Sequence, residues 1–170
     1  MASVTLAGAL CAVAPGAAVA APQRTTPIAG SAGFAATRAQ GTIAVELDGS
    51  TLTATPVGSR ACRLRVDATL RLTGTLAGSA PGITTAIIDA PCDQALATPP
   101  GTFADVFQFT GTFTGTVHGR TAIAHTSYAG VTRAGGQVTA GLALHGGASA
   151  AALVKAKAAG VGTYQGHALP

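Results

Sequence analysis

Four histidines, His118, His125, His145 and His167, are the side chains of this sequence best suited to hold a metal ion or move a proton, so their spacing decides whether that chemistry is available. His118-Gly119 reads as a two-residue turn, which sets His125 opposite Thr112 on a Thr-rich outer face and leaves His118 at the turn itself. His145 then falls near Thr121, four residues along the sheet, or about 13 Å at 3.3 Å per residue, beyond one ligand sphere. His167 has no assigned register. The histidines are therefore read as solvated side chains, and neither metal nor cofactor is expected. Asp105 is the more telling group, because it shares parity with Phe103, Phe107 and Phe109, where an unpaired charge is costly. Either it marks the mouth of a barrel, or the strand becomes regular only at Val106 and Asp105 hydrogen-bonds the preceding loop. If a cavity exists, Asp105, Phe107, Phe109, Phe113 and Tyr128 are the candidate ligand-binding residues.

Other charged groups fit quieter roles. Arg63, Arg65 and Arg71 share the outer face of one strand, with Arg60 just before it, and such a stripe attracts polyanions such as an anionic envelope polymer. No aromatic shares that face, which argues against nucleic acid, and Asp67 in the same row suits a stripe that blunts strand-edge pairing. Of the nearby carboxylates Glu46 and Asp48, the second is taken by a turn, and a hairpin tip supplies no glycosidase cleft. Gly147-Ala148-Ser149-Ala150-Ala151 lacks the final glycine of a nucleophile elbow, and phosphate loops and zinc signatures are absent. No catalytic residue is assigned; the reading leans toward a binding or structural protein, and an enzyme whose site is assembled from scattered barrel residues stays open.

The elements that position these residues are strands. From Cys62 to Leu76, Leu64, Val66, Ala68, Leu70, Leu72 and Leu76 hold one parity and Arg63, Arg65, Asp67, Thr69, Arg71 and Thr75 the other, a period of two that sends alternate side chains to core and water. Before it, Ile43, Val45 and Leu47 alternate up to Asp48-Gly49, a type I′ turn signal, and Leu52 and Ala54 return as a hairpin. After it, Gly78 to Gly82 reads as a turn and Ile83 to Ala90 as a strand of unclear facing. Pro91, Pro99 and Pro100 bracket a loop. Phe103, Phe107, Phe109, Phe113 and Val117 then form an inward row, and the His118-Gly119 turn pairs Phe113 with Ala124 and Phe109 with Tyr128. Gly135-Gly136 turns the chain into the row Val138, Ala140, Leu142 and Leu144. The remainder reads as two short strands around Gly160, with a helix over 151–159 as the alternative. Glycines on the inward parity, in Leu72-Thr73-Gly74 and Phe109-Thr110-Gly111, let strands coil while neighbouring rings fill the gaps. About eight strands without a long amphipathic helix predict an all-β fold, an antiparallel β-barrel, with a β-sandwich as the alternative.

The ends and the cysteines bound the setting. Residues 1–20 read as a signal peptide: the apolar run Val4 to Ala14 is too short for a bilayer span, and Ala18-Val19-Ala20 offers small residues for cleavage. Residues 21–40 read as an N-terminal arm and 41–170 as a single β-barrel domain. Processing removes Cys11 and leaves Cys62 and Cys92, a pair expected to form a disulfide in an oxidising compartment, worth about 3 kcal/mol. Charged residues are only 9% of the 170, against roughly 25% in ordinary domains, so Thr, Ser, Gly and Ala must cover the surface.

The string from Phe109 through Thr110-Gly111-Thr112-Phe113-Thr114-Gly115-Thr116-Val117-His118-Gly119-Arg120, with His125, Gly130, Gly146-Gly147 and Gly160-Val161-Gly162-Thr163-Tyr164-Gln165-Gly166, resembles small secreted bacterial barrel proteins of unknown function. These in turn resemble the allene oxide cyclase barrel. The resemblance consists mostly of glycine and turn positions and implies a hydrophobic cavity of the kind that takes an oxidised fatty acid; it carries over no catalytic residue. The expectation is a secreted barrel that binds a small apolar ligand or an envelope partner, with no nucleic acid and no membrane span after processing. The alternatives are a cyclase or isomerase of the allene oxide cyclase type, with Asp105 or Tyr128 reaching into the pocket, and a wall-associated structural module. The sequence leaves the oligomeric state open.

Overall fold

A computed structural model describes residues 35–158 and 160–169. The expected signal peptide, and the arm up to residue 34, lie outside the described residues. Eight strands follow one another: β1 (Thr37–Val57), β2 (Ala61–Gly74), β3 (Leu76–Ile88), β4 (Asp105–Val117), β5 (Arg120–Arg133), β6 (Gln137–Gly146), β7 (Ser149–Lys157) and β8 (Val161–Leu169). Each pairs with the next, and β8 returns to β1, so the antiparallel sheet closes into a barrel. β1 starts at Thr37, inside the segment expected as an arm.

Parity placed the core correctly. Leu70, Leu72, Leu76, Phe109, Phe113, Leu142 and Leu144 are buried inside, while Thr110, Thr112 and Thr114 face water. Such burial contributes roughly 1.5–3 kcal/mol per large apolar side chain, enough to fix the register of every strand, because a one-residue slip would expose the whole row. The turn at His118 (φ 51°) and Gly119 (φ 77°) gives the β4–β5 pairs as expected, Phe113 with Ala124 and Phe109 with Tyr128. Ala151 to Leu169 forms strands β7 and β8 rather than a helix.

The inward glycines are seats for rings. Gly82 and Gly111 face each other across β3 and β4, and a Cβ on either would stand 2.7 Å from Cζ of Phe109. Gly78 and Gly115 pair likewise beneath Phe113, at 3.1 and 2.9 Å from its ring. This corrects the expected turn at Gly78–Gly82: the chain reverses at Gly74-Thr75, and β3 runs straight through those glycines because they supply space rather than a bend.

The expected Asp48-Gly49 hairpin does not form either. β1 continues along β2, and between the pairs Asp48–Asp67 and Thr53–Arg65 it advances five residues against two, an odd excess that switches which parity points inward. Asp48 stabilises this bulge by accepting hydrogen bonds from the Ser50 amide (3.0 Å) and hydroxyl (2.6 Å), which hold its carboxyl below the usual range. Leu52 and Ala54 therefore face inward beside β2 instead of folding back on Leu47. The β8 side of β1 is paired only over Thr37–Ala44, so the rest of β1, with the adjoining parts of β2 and β3, rises beyond the closed ring as one wall of a mouth.

The opposite end is sealed. Gly41 lies across from Tyr164, whose fully buried ring reaches the β2–β3 turn; its hydroxyl donates to Thr73 O (2.9 Å) and accepts from the Leu76 amide (2.8 Å).

Candidate functional site

The mouth holds a cavity of about 420 Å³. Its walls come from β2 (Leu64, Val66), β3 (Ala86) and the raised part of β1 (Leu52), all brought inward by parity and by the β1 bulge. Phe107 and Tyr128 form its floor, ring centroids 5.1 Å apart and tilted by 54°. Gly130 stands opposite Phe107 in the ladder, and a Cβ there would run into Thr139 O and Ala140 of β6, so glycine lets β5 and β6 approach closely beside this floor. Phe109 and Phe113, both within 1% of full burial, pack below this floor and do not line the cavity.

A strap covers the mouth. The segment 89–104, expected as a plain loop, contains a six-residue helix, α1 (Cys92–Ala97), and presents Leu96, Pro100 and Phe103 to the cavity. Four ties hold it. The expected Cys62–Cys92 disulfide fastens α1 to the start of β2. The Asp89 amide donates to Ala104 O (2.9 Å) and closes the neck of the loop. The Gly135 amide donates to Gly101 O (3.0 Å), and the Ala158 amide to Gly136 O (2.8 Å), joining strap, β5–β6 turn and β7–β8 turn into one rim. Sequence reasoning missed the strap because loop residues have no parity; the signal available was Ala95, Leu96 and Phe103, apolar side chains in a proline-bracketed loop.

Asp105 begins β4 and points inward among these groups, on the cavity wall. It is paired in register with Thr132 of β5, not with the preceding loop. Burial raises its carboxyl pKa against the opposing pull of hydrogen bonds from Thr132, and its Oδ1 is buried with no partner among the described residues. Burial also pushes the Tyr128 phenol up to about 12, so it stays protonated as a donor at any ordinary pH. Asp105 and Tyr128 lie four residues apart along the paired ladders, with Phe107 between them, so their backbones stand about 13 Å apart. They address different parts of the cavity rather than one reacting atom.

The remaining candidates disperse. Arg71 is held by Glu46 (2.6 Å), which occupies one member of the arginine stripe and one carboxylate of the Glu46/Asp48 pair. His118 accepts or donates a 2.6 Å hydrogen bond with the Thr37 hydroxyl at the sealed end. His145 does not lie near Thr121: the turn over Ala134–Gly136 pairs Arg133 with Gln137 and so sets His145 directly opposite His125. Both rings are exposed, and no cluster of three or more metal-ligating side chains occurs among the described residues. No helix among the described residues is long and apolar enough to cross a membrane.

Comparison with solved structures agrees with this architecture. The chain is similar to a Shewanella oneidensis MR-1 protein of unknown function from the DUF3224 family, with a TM-score of 0.56 and 16% identity over 79% of this chain and 97% of that one. The likeness is one of fold. No family model and no curated protein matches the sequence.

Proposed function

We propose that the protein is a secreted β-barrel that binds a small, largely apolar molecule in the strapped mouth cavity. The observation that carries this reading is the cavity itself: about 420 Å³, within the roughly 300–1,000 Å³ of small-molecule pockets, walled by aliphatic and aromatic side chains with few polar groups. A barrel evolved only for stability would let Phe107, Tyr128 and the strap close that space, because an unfilled apolar cavity costs stability in proportion to its volume. The disulfide and the signal-peptide character of residues 1–20 support export.

The neutral dye Nile red tests the reading. Its fluorescence is expected to rise and shift to the blue on titration with the purified protein, saturating at one dye per chain. Ala86→Trp, which fills the cavity from β3, is expected to abolish the signal while the circular dichroism spectrum stays that of a sheet. No enhancement with the native protein, or one that Ala86→Trp leaves intact, rejects the cavity as a binding site.

A further inference from the structure

We infer that the ligand of this cavity is a lipophilic ammonium ion, an apolar body whose cationic N–H group meets Asp105. This rests on the cavity being a binding site and adds which chemistry it selects. Among the described residues lining the cavity, none is Lys, Arg or His, and Asp105 is the sole carboxylate. An acidic ligand would find no cation to pair with, and would bring its charge toward Asp105 in surroundings of low dielectric. An ammonium ion meets the opposite situation: Asp105 lines the cavity, its Oδ1 is buried without a partner among the described residues, and a turn of the carboxyl toward the cavity would offer that oxygen to the cation with little further desolvation of the protein. Such a bond is charge-assisted, roughly twice as strong as one between neutral groups.

Thr132, in register with Asp105 and itself buried, orients the carboxyl from the neighbouring strand. The rest of the lining asks for an apolar body. Phe107 and Tyr128 offer aromatic contact below, and Leu64, Val66, Leu96 and Phe103 offer aliphatic and aromatic contact around it. The fatty-acid occupant implied by the allene oxide cyclase resemblance has the opposite head-group charge, so this lining departs from that expectation.

Competition against Nile red by decylamine, decanol and decanoate, matched in chain and different in head, tests the inference at mildly alkaline pH and below the micellar range. Decylamine is expected to bind about tenfold or more tighter than decanol, and decanoate weakest. In Asp105→Asn, which keeps the side chain's size and removes its charge, the ratio of amine to alcohol affinity is expected to fall to near one. The inference is overturned if dye and decanol bind but decylamine is no tighter, if decanoate binds best, or if the preference for the amine survives Asp105→Asn in a variant that still melts cooperatively. Failure of the native protein to take up Nile red or any of the three instead removes the cavity reading beneath it.

Discussion

Asp105 works against the fold that holds it. Its carboxyl binds a proton more tightly when folded than when unfolded, so stability is highest where it is protonated in both states and is lost as pH rises from about 3.8 through the folded-state pKa. Apart from Tyr128, no titratable group among the described residues shares the cavity lining, so this dependence is assigned to Asp105. Asp105→Asn should therefore raise stability by about 1 kcal/mol at neutral pH, with the gain vanishing near pH 3, as read from thermal melts across that range. Thr126 supplies the contrast. Its Oγ1 is also buried without a partner among the described residues, but it lies between Gly111 and Leu144 in the core and does not line the cavity. Thr126→Val should stabilise by a similar amount, about 1 kcal/mol, at every pH. A side chain that costs stability and lines a cavity is more informative than one that only costs stability, and parity alone had already set Asp105, Phe107 and Tyr128 on the inward side.

At the scale of elements, the strap is what distinguishes the open end, and Gly101 is its most constrained point. Its φ of 85° suits glycine, and a Cβ there would stand 2.7 Å from both Ala158 Cβ and Gly136 Cα. Gly101→Ala should lift the strap from the rim, costing about 1–3 kcal/mol and speeding Nile red dissociation several-fold in stopped flow. Reducing the Cys62–Cys92 bond should speed it too, by releasing α1 from β2. An unchanged dissociation rate in both cases would show that the strap does not gate the cavity. The strands themselves were legible because period two is a direct consequence of the pleat. The misreadings fall where one signal has two causes: an odd bulge and a hairpin both switch parity at Asp48, and a glycine marks either a turn, as at Gly74, or a seat for a ring, as at Gly82.

Over the whole molecule, closure depends on a seam between the two ends of the sheet, pairing Thr37 with Ala168 and Ala44 with Val161. Contacts so distant in sequence carry the largest loop-closure cost, and hairpins such as β4–β5 reward pairing at once, so the seam is expected to form after the folding transition state. Tyr164 is the bolt on that seam. Its hydroxyl joins β8 to Thr73 O and the Leu76 amide at the β2–β3 turn, and Gly41 on β1 has no side chain because a Cβ would run into Thr73 O and stand 2.6 Å from that hydroxyl. Tyr164→Phe keeps the ring but strands the buried Leu76 amide and the half-buried Thr73 carbonyl, at a cost of about 1–3 kcal/mol. Since the seam closes late, that loss should appear almost wholly as faster unfolding, with the refolding arm of the chevron nearly unmoved. The same substitution lies at the sealed end, so Nile red affinity measured well below the melting temperature should match that of the native protein. Slowed refolding would place the seam in the folding nucleus, and weakened dye binding would show that the two ends of the barrel are coupled.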